Sequence, residues 1–284
     1  MSLPFIAADD VEQRLSASKA ADALEAALLG GLDPEADPPR SVVELDRGQM
    51  LVMASAAARH PVVKLLTVGG EPRIQGVCVI FDGTTLAPIA LVDGIAVTTV
   101  RTSAVSALAV RHLAAPDARR LVVFGRGPQA HAHVRALRAI RPIEQVDMLG
   151  RARAHVDELV RAADIICCCT TAREPLFDGD LVADHATVVA IGSHERDARE
   201  TDDTLAARAT VVVESRTSAL REAGDVILAI DSGATTADQL VTLAELIRGE
   251  AKPPAARPTF FKSTGMPWED AVVAAHLTDN RSLP

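Results

Sequence analysis

Leu121-Val-Val-Phe-Gly-Arg-Gly-Pro-Gln-Ala130 decides the fold of this chain: an apolar run enters a glycine turn and leaves it as a helix. Gly125, Gly127 and Ala130 spell G-x-G-x-x-A. In that pattern the first glycine makes a tight turn and the second lets backbone N–H groups approach a pyrophosphate. The third small residue lets helix and strand pack closely. Pro128 suits the first turn of a helix, and Ala130, Val134, Leu137 and Ile140 continue at helical spacing. The N-terminus of such a helix presents free N–H groups and a positive dipole end to phosphate.

Short apolar strands alternate with helices outward from this turn. Strands are expected at Leu121–Phe124, Val146–Leu149, Asp164–Cys169, Thr187–Ile191 and Thr210–Val213, and helices at Pro128–Ile140, Ala152–Ala162 and Ala237–Ile247, with Gly249 ending the last. Such βα alternation implies a doubly wound parallel sheet of the Rossmann type. The earlier part of the chain reads differently. A helix at Ala17–Leu29 precedes a turn-rich segment, Asp33–Arg40. Runs at Ser41–Leu45, Met50–Met53, Val62–Val68, Gly76–Phe81 and Leu86–Leu91 follow, as an antiparallel or mixed sheet. A helix at Val97–Leu113 connects the two parts, and another is expected at Pro267–His276. The expected organisation is α/β, with a Rossmann domain at 116–263 and a discontinuous α+β substrate-binding and dimerisation domain at 1–115 and 264–284.

Composition narrows the function. The 284 residues carry a formal net charge of −9, against the basic footprint that nucleic-acid binding needs. No apolar run reaches membrane-spanning length, and no secretory leader is expected, so a cytoplasmic location is. Cys167, Cys168 and Cys169 are consecutive, so on a strand their side chains alternate between faces and cannot converge on a metal. They read as small apolar residues of a buried strand, and no metal is expected.

Several segments together resemble the ornithine cyclodeaminase/mu-crystallin family. They include Pro39-Arg40, Val63-Lys-Leu-Leu66, Ala90-Leu-Val-Asp-Gly94 and, most specifically, Thr98-Thr-Val-Arg-Thr-Ser-Ala-Val-Ser-Ala-Leu-Ala109. After the glycine turn come Ala163-Asp-Ile165, Arg199-Glu-Thr-Asp202, Phe261-Lys-Ser-Thr-Gly265 and Glu269-Asp270. The resemblance implies NAD(P)-dependent chemistry at the Cα–N bond of small amino or imino acids, in a homodimer. It implies substrate contacts at Arg40, Lys64 and Arg101. It further implies cofactor contacts at Thr102, at Gly125, Arg126, Gly127, Pro128, Gln129 and Ala130, at Gly150 and Arg151, and at Thr170, Ile191, Gly192 and Ser263.

The residue types fit those roles. An α-carboxylate wants a planar fork of donors, which arginine supplies. Lys64 interrupts an apolar strand, so it either snorkels to a sheet edge or points into a polar cleft. One departure bears on the reaction. The resemblance places the cyclodeaminases' acid/base carboxylate just after the glycine ending the fifth strand, where this chain has Ser193. A serine hydroxyl hydrogen-bonds but does not titrate near neutrality. A one-residue ambiguity in register leaves open whether His194 or Asp197 enters the site or both stay on a solvated loop.

Cofactor choice turns on the end of the second Rossmann strand. An acid there suits the ribose 2′-hydroxyl of NAD, and a nearby arginine suits the 2′-phosphate of NADP. Gly150 falls at that place, followed by Arg151 and Arg153, and Arg126 inside the glycine turn adds positive charge. A competing register uses Asp147 and favours NAD, but Asp147 falls mid-strand. NADP is therefore expected, with NAD possible. The expected activity is reduction of a cyclic ketimine such as pyrroline-2-carboxylate, or amino-acid dehydrogenation. The alternatives are ornithine cyclodeamination and a non-catalytic, cofactor-dependent binding protein.

Overall fold

The computed structural model describes residues 3–151 and 155–279. By internal contacts the chain divides into two units: residues up to Val105 with those from Met266 on, and Ser106–Gly265.

The first unit is built on a mixed sheet. Its strands, β1 (Phe5–Ile6), β2 (Ser41–Leu45), β3 (Gly48–Ser55), β4 (Val62–Val68), β5 (Ile74–Phe81) and β6 (Pro88–Asp93), lie in the order β1-β6-β5-β4-β3-β2. Strands β2 to β6 form an antiparallel meander, and β1 adds in parallel beside β6. Strand β4 is interior and alternates, burying Val62, Lys64 and Leu66 on one face. A short helix α1 (Ala8–Arg14) precedes α2 (Ala17–Leu29). Ser16 accepts the Lys19 N–H at the N-terminus of α2, and Ala20, Ala21, Leu24 and Leu28 bury one stripe. Helix α3 (Gly94–Leu113) is started by Asp93, whose Oδ1 accepts the N–H groups of Ile95 and Ala96.

The second unit holds an all-parallel sheet in the order β12-β11-β13-β10-β9-β7-β8. Its strands are β7 (Arg120–Phe124), β8 (Gln145–Leu149), β9 (Ile165–Cys168), β10 (Thr187–Ala190), β11 (Thr210–Val213), β12 (Val241–Thr242) and β13 (Thr259–Lys262). Helices α4 (Pro128–Arg138), α5 (Val156–Ala162), α6 (Asp203–Arg208), α7 (Arg216–Glu222), α8 (Gly224–Asp231) and α9 (Leu243–Ile247) connect most of them, with only a 3-10 turn between β9 and β10. Central strands β9, β10 and β13 are buried throughout and mostly apolar, as covering on both faces favours. After β8 the chain crosses to β9 on the other side of β7, so the winding reverses beside the glycine turn. Open α/β sheets bind ligands at the strand carboxyl ends at such a reversal. The chain then re-enters the first unit as α10 (Pro267–Asp279), which packs on α2, β3 and β4.

The α/β class and most elements match expectation, within a few residues at the ends. Two differ. Ala237–Ile247 is not one helix: a 3-10 turn at Ala237–Gln239, strand β12 and then α9 take its place. Two capping boxes, Thr236 with Gln239 and Thr242 with Glu245, restart the backbone there. Gly249 does end α9: at φ +73° it lets its own N–H reach Leu246 O and the Glu250 N–H reach Glu245 O. Strand β13 was not expected, yet it sits centrally between β10 and β11. The lysine at its end masks an otherwise apolar run. The first residues of the helix expected at Ala152–Ala162, with Arg153, lie outside the described residues.

Candidate active site

The glycine turn is built for a phosphate. Gly125 sits at φ +120°, and a Cβ there would come within 2.5 Å of the Cys169 carbonyl oxygen, so only glycine fits. Gly127 shows the converse: a Cβ would meet nothing within 4 Å, leaving open space over the turn. Gly127 caps α4 with no side-chain hydrogen bond, and Pro128 opens the helix, so its N-terminal N–H groups keep no side-chain cap. Ala130 is fully buried against the sheet. A cavity of about 550 Å³ lies here, lined by Gly125, Arg126 and Gly127, by Gly150 and Arg151 after β8, and by Thr170 after β9. These features fit a dinucleotide.

Among the described residues no acid stands at the end of β8. Gly150 faces Arg126, whose Nε lies 3.6 Å from where a Cβ would stand, and Arg126 donates to the Met148 carbonyl. Asp147 lies mid-strand and accepts from the exposed side chain of Gln145. Beyond the turn, Thr170 and Gly192 follow β9 and β10, and the Ile191 N–H bonds to Cys168 O. Ser263 donates to Glu214 at 2.6 Å, and Glu214 also accepts the N–H groups of Thr264 and Gly265. Ser193 is buried, with its hydroxyl accepting the Glu195 N–H at 3.1 Å. Asp197 turns outward to Arg173 at 2.6 Å, a solvated pair, and His194 is half-buried.

The first unit holds a buried ionic cluster. Lys64 is fully buried on an interior strand, which removes the sheet-edge reading. Its Nζ meets Asp270 Oδ1 of α10 at 2.7 Å. Arg101, on α3, pairs with Glu269 at 2.8 Å and with Asp270 at 3.2 Å. Two cations and two anions therefore face each other with no side chain more than 6% exposed. Burial, with the neighbouring Arg101 guanidinium, pulls the Lys64 ammonium below the usual lysine range, and Asp270 pulls the other way. Cys78 stands opposite Lys64 on β5, and its thiol is pushed up to about 12 by burial and by Asp270. Oδ2 of Asp270 is buried without a hydrogen-bond partner among the described residues. Asp37 completes the surroundings: it accepts the Ser55 hydroxyl and, at 2.6 Å, the Trp268 N–H in the first turn of α10. Burial raises its carboxyl to about 6. Arg40, three residues on, is half-buried in the loop entering β2, and Thr102 is buried on α3.

A family model described as the ornithine cyclodeaminase/mu-crystallin family matches residues 4–155 and 147–282. The chain belongs to this family. Ketimine reductase mu-crystallin of Rattus norvegicus is 34% identical over 310 aligned positions, covering 98% of this chain and 97% of the rat protein. Delta(1)-pyrroline-2-carboxylate reductase of Colwellia psychrerythraea is 36% identical, over 72% of each chain. Among solved structures, Thermococcus litoralis Delta(1)-pyrroline-2-carboxylate reductase, in complex with NADH and L-proline, superposes with a TM-score of 0.91. It is 26% identical and is covered to 97%, with 98% of this chain.

Within this family member, sequence reasoning singled out Lys64 and Arg101, and the fold brings both to Asp270. It missed the acids. Glu269 and Asp270 served only as part of the resemblance, and Asp37 and the acids Glu200 and Asp225 beneath the strand ends were not chosen. A signal existed for the last pair: Lys262 ends the apolar Phe260-Phe-Lys262 run just as Lys64 interrupts its own. A lysine so placed calls for a buried acid.

Proposed function

We propose that this chain is an NAD(P)H-dependent reductase of a small cyclic ketimine acid, of the pyrroline-2-carboxylate or piperideine-2-carboxylate kind. The observation that carries this is the buried Lys64–Asp270 pair with one acceptor oxygen of Asp270 left open. A buried acceptor without a partner costs free energy until an N–H fills it, and a protonated imine nitrogen offers one. The family relatives named reductases of such imines support the same class.

The bound nicotinamide cofactor supplies the hydride. Arg40 and Arg101 hold the substrate carboxylate and fix the C=N carbon in place, which lowers the barrier by orientation. Lys64 donates a proton to the developing amine nitrogen, whose lone pair appears as the C=N bond is reduced, a task that its lowered pKa eases. Asp270 keeps that ammonium directed and accepts from the substrate N–H. The Gly125–Ala130 turn and the uncapped α4 hold the pyrophosphate, and Thr170, Ile191, Gly192 and Ser263 belong to the cofactor's surroundings. Ser193 takes no proton in this scheme. Arg126 and Arg151, with no acid at Gly150, favour NADP.

The chain forms a homodimer through its first unit, the substrate-binding and dimerisation domain. The edge strand β2 exposes Val42 and Val43 at 48% and Leu45 at 43%, an apolar edge that isolated sheets avoid. Light scattering that returned a monomer at high concentration would remove this assignment. No helix among the described residues is long and apolar enough to cross a membrane. Free thiols at Cys78 and Cys167–Cys169 suit the reducing cytoplasm.

Initial rates of NADPH and NADH oxidation with cyclic ketimine acids, with pyruvate plus ammonia, and of NAD(P)+ reduction with ornithine test the proposal. Ketimine turnover supports it. Ammonia release from ornithine at a useful rate replaces it with cyclodeamination, and cofactor binding without any turnover leaves a binding protein.

A further inference from the structure

Glu200 lies between β10 and α6, and it is fully buried. Its Oε1 accepts both the Thr170 N–H, at 2.8 Å, and the Thr170 hydroxyl, at 2.7 Å. Its Oε2 accepts the Gly192 N–H at 2.8 Å. Thr170 follows β9 and Gly192 follows β10, two strands paired in register as far as Cys168 and Ala190. One carboxylate therefore ties together the loops leaving two adjacent strands. There is no slack between them: a Cβ on Gly192 would come within 2.0 Å of the Thr170 carbonyl oxygen and 2.5 Å of Glu200 Oε1.

The tie is itself anchored. The N–H groups of Glu200 and Thr201 and the Thr201 hydroxyl all donate to Asp225 Oδ1, at 2.8 to 2.9 Å. The other Asp225 oxygen pairs with Lys262 Nζ at 2.8 Å, both side chains being unexposed. Lys262 ends β13, beside Ala190 of β10. Two carboxylates and one ammonium are thus sunk beneath the carboxyl ends of the sheet. Burial raises the Glu200 carboxyl, and Lys262 opposes that. Apolar residues of similar volume commonly stabilise a core as well as such a network does. A role in geometry accounts for its presence better than a role in stability.

Its position says which geometry. A dinucleotide lies across the strand ends at the point where the winding reverses, with its adenosine half toward the strand after the glycine-turn helix. Here that strand is β8, so the nicotinamide half falls on the side of β9 and β10, where Thr170 lines the cavity. We propose that Glu200 is a positioning residue for the nicotinamide half of the cofactor, setting the spacing of the Thr170 and Gly192 loops without touching the cofactor itself. This rests on the nucleotide-binding reading of the second unit.

Glutamine at position 200 preserves the shape but not the donor–acceptor match. It has one acceptor oxygen and one NH2 group, so whichever way it turns, the NH2 faces either Gly192 or the Thr170 donors. The loops then part on one side. The experiment compares wild type and Glu200→Gln in calorimetric titrations with NADPH and with ADP-ribose 2′-phosphate, which lacks nicotinamide. We expect NADPH to bind about tenfold more weakly or worse, from one unsatisfied buried donor. ADP-ribose 2′-phosphate should bind within twofold of wild type. KM for NADPH should rise and kcat should fall together. If Glu200→Gln does not fold, Thr170→Val, which loses only the hydroxyl donor, carries the test with a smaller loss confined to NADPH. Equal losses for both ligands would make the network merely structural, and no loss for either would remove its role; both overturn the proposal. A wild type that binds neither ligand overturns the nucleotide reading instead.

Discussion

The Lys64 ammonium and the Asp270 carboxylate meet at 2.7 Å, one on a central strand and the other on a helix 206 residues later, and neither is exposed by more than 1%. Neither ion would be stable alone at that depth, so each explains the other. Lys64→Met keeps the volume and removes the proton donor. We expect it to lower kcat/KM for a cyclic ketimine at least about a hundredfold. Stability should fall by about 3–5 kcal/mol, because Asp270 keeps only the longer Arg101 contact. The Kd for NADPH should hold within about twofold, since the glycine turn is untouched. Initial rates, denaturant unfolding and NADPH titration check the three, and a variant that reduces ketimines normally would falsify the assignment of Lys64 as donor.

Asp270→Asn tests the pair from its other side. Burial and Arg101 already lower the Lys64 pKa, and Asp270 is the main force raising it. Without that anion the lysine titrates lower still, so its ammonium form is lost at lower pH. The alkaline limb of the kcat/KM profile should therefore move toward acid, not merely drop in height. Ser193→Ala in parallel should leave the limb where it is, because its hydroxyl only accepts the Glu195 N–H. A pH–rate profile for each variant decides it.

The part of this design legible in sequence follows from periodicity and local chemistry. The glycine turn, the continuous apolar strands and the helical run at Ala17–Leu29 are local signals, and each element they mark is present. Lys64 was legible because a cation inside Val62–Leu66 breaks the pattern. Its partner was not, because a carboxylate in Pro267-Trp-Glu-Asp270 looks like the ordinary acidic first turn of a helix. Only the packing of α10 on β4 turns that acid inward. The same holds for Glu200 and Asp225, which sit at loop and helix starts where acids are common. Strand β13 was hidden by the lysine that those acids neutralise.

Asp37 gives a pH dependence of known sign. Its carboxyl is raised from 3.8 to about 6, chiefly by burial. A raised pKa in the folded state means that the unfolded chain releases the proton first. The stability associated with the protonated form is therefore complete below about pH 4 and is lost as pH rises through 6. Asp37→Asn cannot ionise, and its side-chain oxygen can still accept the Trp268 N–H. We expect its stability relative to wild type to improve between pH 4 and pH 6 and then level off. Thermal unfolding of both proteins across that range measures it. A constant difference would show that Asp37 titrates normally.

Cofactor choice gives the last test. Two arginines, Arg126 and Arg151, border the cavity where β8 ends, and Gly150 leaves the usual acidic position empty. We expect wild type to bind NADPH more tightly than NADH, and Arg151→Ala to narrow that gap by weakening NADPH alone. The decisive variant is Gly150→Asp. A Cβ there approaches no atom closer than 3.6 Å, the Arg126 Nε, and Gly150 is not among the glycines with positive φ, so the side chain can be added without strain. The new carboxylate would pair with Arg126 and accept from a ribose 2′-hydroxyl, while repelling a 2′-phosphate. Attraction to one cofactor and repulsion of the other act in the same direction, which is how a single charge switches preference. NADH should become the tighter ligand in fluorescence titrations. A Gly150→Asp protein that still prefers NADPH would place the 2′-phosphate away from the end of β8.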